Sequence, residues 1–232
     1  MNRLQSELQR LYLLPSNLPT EPGPWAGSAG EVRALVLELA RPADWDALSR
    51  VWRGVQADLA LPAPAIAVSG TDGLQLWFSL QAPLDADRGA EFLAGLRARY
   101  LADVSPARLR LTPPAAGPAP VPEAQPSTGN WSAFVAADLA PVFVDTPWLD
   151  IQPGVEGQAD LLARLQGIKP AALDAAMQCL RPAGTDVPPE AHKAPAAGET
   201  ADVDPRRFLQ HVLNDETVAL ALRIEAAKAL LR

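Results

Sequence analysis

Three groups of residues have types and spacings suited to chemistry. The first is the polar turn Ser69-Gly70-Thr71-Asp72-Gly73, set between the apolar runs 65–68 and 74–80. Successive backbone amides in such a turn can converge into a nest that cradles phosphate without help from a side-chain base. The second is Glu38, in Leu35-Val36-Leu37-Glu38-Leu39-Ala40. Strand alternation puts residues 38 and 40 on one face, which therefore offers one carboxylate and one methyl group. The third is a set of arginines, Arg33, Arg108 and Arg110, on segments expected to be neighbouring strands. Gln75 follows the turn and alternates with Trp77, so their shared face could stack bases or be core.

Each group also has a plainer reading. The turn is an ordinary hairpin connection with glycines available for positive φ. Glu38 is an exposed or salt-bridged strand residue, and Gln75 faces solvent. Trp45, Trp52, Trp77 and Phe78 fill a core. His192, His211 and Cys179 are too scattered to form a zinc site. Cys179 shares a segment with Leu173, Met177 and Leu180 and is read as packing. No P-loop, dinucleotide fingerprint or Gly-x-Ser-x-Gly elbow is present.

These residues are positioned by a recognisable order of elements. Val32–Leu39 is a buried strand. Asp44 caps a helix with the stripe Trp45, Leu48, Val51, Trp52, Val55 and Leu59. The hairpin around the turn follows. Asp85 caps a second helix carrying Phe92, Leu93, Leu96, Tyr100 and Leu101, and 108–112 alternates like an edge strand. The order β-α-β-β-α-β predicts an α+β fold: a ferredoxin-like or RRM-like antiparallel sheet with two helices on one face. Its first and third strands are central.

The chain divides accordingly. Residues 1–30 are an N-terminal helix, over 2–13, and a connector. Residues 31–113 are the βαββαβ core, and 114–128 a Pro/Ala-rich extended linker. Residues 129–181 hold a strand at 131–135, short helical turns over 138–150, and helices over 158–168 and 171–180. Residues 182–203 are a polar loop without periodicity. Residues 204–232 form a helix pair split at Asn214-Asp215.

With 232 residues the chain is long enough to bury a real core. Its 24 prolines and 15 glycines point to long irregular connections. A net charge of −7 and a pI near 4.9 argue against tight non-specific DNA binding, which relies on Lys and Arg neutralising phosphates. A single cysteine excludes an internal disulfide. No segment has the length of an apolar membrane span, and 1–8 lacks the apolar core of a signal peptide, so a cytoplasmic protein with no membrane partner is expected.

The Ser-Gly turn, Gly73 and the βαββαβ order resemble the nucleotide-binding hairpin of the archaeo-eukaryotic primase-polymerase superfamily. The stretches 55–62 and Trp77-Phe78-Ser79-Leu80 are similar to the polymerase domains of bacterial end-joining ligases. The resemblance covers roughly residues 32–112. It implies a strand with two metal-binding carboxylates, a third acid elsewhere, two divalent metals and a histidine facing the triphosphate. This sequence departs from that pattern. Glu38 holds the first acid position and Ala40 the second, and Gln75 stands in the histidine position. The third acid would be Asp145 or Asp150. The tail, with Phe208-Leu209, Asn214-Asp215 and Leu222-Arg223-Ile224, is similar to a helix pair in phage small terminase subunits.

The expectation is a non-catalytic, primase-polymerase-like domain with no cofactor. It binds nucleotide or single-stranded nucleic acid through the sheet and the turn. The binding set is Ser69, Gly70, Thr71, Gly73, Gln75, Arg33, Arg108 and Arg110. The alternative is a protein interaction or assembly module without a nucleic-acid role, whose partner docks through the C-terminal helices. A second alternative is a nucleotidyltransferase with a degenerate site, using Glu38 and magnesium or manganese. A basic groove beside the turn favours the first reading, and an acidic or apolar sheet face favours the module.

Overall fold

Asn2 caps the first helix by closing a reciprocal capping box. Its Oδ1 accepts from the Gln5 amide at 2.8 Å, and Gln5 Oε1 accepts from the Asn2 amide at 2.9 Å. The helix so started, α1 (Arg3–Leu11), is followed by β1 (Glu31–Ala40), α2 (Trp45–Ala57), β2 (Ala65–Val68), β3 (Gly73–Asp85), α3 (Ala86–Tyr100) and β4 (Leu109–Thr112). Beyond these come β5 (Ala133–Val135), a 3-10 turn (Ala140–Phe143), α4 (Val155–Ala163) and α5 (Pro170–Leu180). The computed structural model describes residues 2–15, 25–27, 30–112 and 118–181. The loop at 182–203, the helix pair at 204–232 and both histidines lie outside the described residues.

The five strands form one antiparallel sheet in the order β4-β1-β3-β2-β5. The fold is α+β, with the first and third strands central, as the element order predicts. Both expected caps form. Asp44 Oδ1 accepts from the Ala47 amide at 2.9 Å, and Asp85 Oδ1 from the Asp87 amide at 2.9 Å.

One face of the sheet meets α2, α3 and α5. Leu35, Leu37 and Leu39 of β1 and Leu74, Leu76, Phe78 and Leu80 of β3 point into this main core. They interlock with Leu48, Val51 and Val55 of α2 and Phe92, Leu93 and Leu96 of α3.

The opposite face differs from expectation, because it too is covered. Ala34, Val36, Ala65, Ala67, Trp77 and Phe134 form a second core with Leu4 and Leu11 of α1, Tyr12, Val121, and Ala159 and Leu162 of α4. The reason lies in the strand residues themselves. An open antiparallel face should alternate apolar with polar, whereas from Ala34 to Ala40 β1 is apolar at every position but Glu38 and needs a layer on each side. Arg10 secures that layer by donating to the carbonyls of Leu162 and Leu165 at the end of α4, at 2.9 and 3.0 Å.

Four local expectations need correction. The helix expected over 158–168 starts at Val155 and stops at Ala163, and Ile168 instead bridges to Leu80, its amide donating to the Ser79 carbonyl at 2.8 Å. The strand expected over 131–135 is confined to Ala133–Val135, because Trp131 pairs with Ala124 and Leu149 instead. Residues 118–128 are not an extended spacer. Val121 is buried, and the Gln125 amide donates to the Asn130 carbonyl at 2.7 Å in a tight hairpin. Cys179 is exposed rather than packed. The buried stripe of α5 is Leu173, Ala176, Met177 and Leu180, at i, i+3, i+4 and i+7, and Cys179 at i+6 points away from it. No helix among the described residues is long and apolar enough to cross a membrane.

Candidate functional site

Register places the candidate residues before their side chains are considered. Glu38 lies opposite Gln75 on β3 and opposite Arg110 on β4, and Gln75 lies opposite Ala67 on β2. The sequence Arg110–Glu38–Gln75–Ala67 is therefore one row across four strands, on the face of the second core.

The polar members of that row are bonded to one another. Arg110 Nη1 donates to Glu38 Oε1 at 3.3 Å, and Gln75 Nε2 donates to Glu38 Oε2 at 3.0 Å. Trp77 Nε1 donates to Gln75 Oε1 at 2.8 Å. Glu38 is only 8% exposed, and burial pushes its carboxyl above the usual glutamate range. The Gln75 hydrogen bond and the Arg110 charge pull it back down, while the neighbouring Asp72 charge raises it further. The plain reading of Gln75 as solvent-facing is corrected: it is half-buried and holds a carboxylate with its amide.

Ser69 organises the turn from within. Its Oγ accepts from the amides of Thr71 at 3.1 Å and Gly73 at 3.0 Å, and lies 3.0 Å from Thr71 Oγ1. The Gly70 amide donates to the Pro147 carbonyl at 3.0 Å, and the Ser69 amide to the Gly73 carbonyl at 2.9 Å. The amides of Ser69, Gly70, Thr71 and Gly73 thus already have acceptors inside the protein. Gly70 has φ +81°, and a Cβ there would lie 2.8 Å from the Ser132 amide nitrogen. Gly73 is favoured for a different reason: a Cβ would crowd Glu38 Oε1 at 2.9 Å and the Ala40 Cβ at 3.0 Å.

The three expected arginines do not converge. Arg33 sits at the far end of β1, where it donates to the carbonyls of Leu80, Leu13 and Arg10 at 3.1, 2.8 and 2.9 Å. It ties α1 to the sheet. Arg108 donates to the Pro42 carbonyl at 2.7 Å and lies 3.8 Å from Asp44. Arg110 alone reaches Glu38. Arg41, absent from the expected set, lies 3.8 Å from Asp72 and donates to the Ala107 carbonyl at 3.2 Å. Arg41, Arg108 and Arg110 near the turn are thus matched by Asp72, Asp44 and Glu38.

The proposed third acids, Asp145 and Asp150, are exposed on the segment that leaves β5 and returns past the turn. Among the described residues, no three His, Cys, Asp or Glu side chains are grouped as metal ligands. The aromatic residues are internal. Trp77 is 1% exposed and meets Tyr12, Trp25 and Phe134 at ring-centroid distances of 5.4, 5.8 and 5.7 Å. Trp45 and Phe78 are buried in the main core, with Trp52 packed at its margin.

Sequence reasoning missed Gln158. From α4, its Oε1 accepts from the Phe134 amide at 2.7 Å, and its Nε2 donates to the Phe134 carbonyl at 2.9 Å. One buried side-chain amide thus completes the outer edge of β5 as a neighbouring strand would. The signal was present, because Gln158 falls at i−4 from Leu162, on the apolar stripe of its helix.

No family model and no curated protein matches this chain.

Proposed function

We propose that this protein is an interaction or assembly module whose βαββαβ sheet serves as a scaffold and has no nucleic-acid role. The observation that carries this reading is the second core. Trp77 and Phe134, on the face that would stack bases in an open sheet of this order, lie beneath α1, Tyr12 and α4. Three further observations agree with it. The amides of Ser69, Gly70, Thr71 and Gly73 are bonded internally, the arginines near the turn are matched by carboxylates, and the net charge is −7.

On this reading the resemblance to primase-polymerases is one of scaffold. Where that family presents a histidine to a triphosphate, Gln75 neutralises the hydrogen-bonding capacity of Glu38. A two-metal mechanism needs carboxylates that converge, and Glu38 is engaged by Arg110 and Gln75 instead.

The test is a titration of labelled single-stranded DNA and nucleoside triphosphates at low and moderate salt, with and without manganese. Wild type, Ser69→Ala and Arg110→Ala are compared. The module reading expects no saturable binding in any arm. Salt-sensitive binding that weakens in either variant overturns it in favour of a nucleotide or nucleic-acid site, and dependence on manganese would point to catalysis.

A further inference from the structure

We infer that the segment 138–151 is a docking surface for a basic amphipathic segment of a partner protein, an inference that rests on the module reading above. Among the described residues the exposed large hydrophobics are Leu139 at 51%, Val142 at 69% and Ile151 at 76%, and all three lie in this one excursion.

Their exposure does not come from a loose loop. Ala140 between them is fully buried, and Phe143, Val144 and Leu149 pack against the main core. Trp131 and Leu149 exchange backbone hydrogen bonds at 2.8 and 3.0 Å, closing the base of the excursion. Leu139 and Val142 are three residues apart across a 3-10 turn, where i and i+3 side chains eclipse, so they form one ridge. Residues held outward on an anchored frame are what a binding surface requires and what a folded core does not explain.

Charge selects the partner. From residue 111 to residue 163 the chain has no lysine or arginine but has Glu123, Asp138, Asp145, Asp150, Glu156 and Asp160. Arg3 pairs with Glu156 at 3.2 Å and with Asp160 at 2.7 Å. Among the described residues no cation pairs with Asp138, Asp145 or Asp150, and all three are exposed around the apolar ridge. A second copy would set these carboxylates against themselves, and nucleic acid would set them against phosphates. A segment with apolar anchors flanked by lysine or arginine satisfies both the ridge and its acidic frame.

The experiment uses the full chain, isotopically labelled, and follows backbone amide shifts. The probes are a helical peptide of leucine and lysine with one apolar face, the same peptide with glutamate for lysine, and oligothymidylate. The leucine–lysine peptide is expected to shift amides clustered in 138–151, with affinity falling as salt rises. Val142→Ser, a change at an exposed position, and the pair Asp145→Asn/Asp150→Asn are each expected to weaken it about tenfold, an effect of about 1.4 kcal/mol. The glutamate peptide is expected to leave those amides unmoved. No binding, binding that maps elsewhere, or binding indifferent to these substitutions overturns the docking surface and leaves the module reading standing. Self-association of the free chain that Val142→Ser abolishes also overturns it, by making the ridge a contact between copies. Shifts by oligothymidylate at the 69–73 turn would instead overturn the module reading itself.

Discussion

Gln75 donates its side-chain amide to Glu38 Oε2 at 3.0 Å from the position directly opposite on the adjacent strand. The pairing turns a strand carboxylate into an internal acceptor, with Arg110 on its other oxygen. Its consequences can be measured as stability.

Burial raises the Glu38 carboxyl above its unfolded value. The folded state then binds more protons than the unfolded state in the window between the ordinary glutamate range and the raised value. This group's contribution is present in full below the unfolded value and is lost as pH rises through that window. Glu38→Gln carries no such titration. Wild-type stability minus Glu38→Gln stability should therefore fall as pH rises through the window and level off above it. Urea unfolding of both proteins across a pH series checks this, and a rising difference would contradict it.

Gly73→Ala inserts a methyl group 2.9 Å from Glu38 Oε1 and 3.0 Å from the Ala40 Cβ. Overpacking of this kind costs about 1–3 kcal/mol. Because one of the two neighbours is the Glu38 side chain, Gly73→Ala combined with Glu38→Ala should lose less stability than the sum of the single changes. A double-mutant cycle by denaturant unfolding reads that coupling directly.

Gln158→Ala strips two partners from the buried backbone of Phe134. Each backbone group left unpaired in the interior costs about 1–3 kcal/mol. The expected result is a lower unfolding midpoint together with faster amide exchange at Phe134. An unchanged midpoint would mean that the edge of β5 does not need this cap.

Tyr12 is fully buried, and its hydroxyl has no protein partner among the described residues. Burial pushes the phenol above its ordinary value, favouring the neutral form. Removing a buried hydroxyl without a partner relieves a desolvation cost of about 1–3 kcal/mol. Tyr12→Phe should keep the ring contacts with Trp77 and Phe134 and raise thermal stability. A fall in the midpoint would show that the hydroxyl has a partner.

The sheet was legible in the sequence because its signals are local. The apolar run of β1, the caps Asp44 and Asp85 and the stripe of α2 each act within a few residues, and their order then constrains the topology. The second layer was less legible. α1 shows its face at Leu4, Leu8, Leu11 and Tyr12, but nothing nearby in sequence says that this face meets Trp77 more than sixty residues away. Position 75 illustrates the limit at the candidate site. Alternation places Gln75 and Trp77 on one face correctly, yet whether that face is open depends on contacts from α1 and α4. Arg33 failed for the same reason. Its charge was readable, and the three carbonyls that engage it come together only in the fold.

The central claim is that the face carrying Trp77 is interior and not a binding surface. Amide hydrogen exchange across Gly73–Ser79, in the free protein and with oligothymidylate in excess at low salt, tests it most directly. The account predicts slow exchange in the free protein, near the limit set by global unfolding, and no change on adding the oligonucleotide. Rapid exchange in the free protein with protection gained on adding oligothymidylate would contradict it, since it would mean that the covering layer opens and the sheet binds nucleic acid.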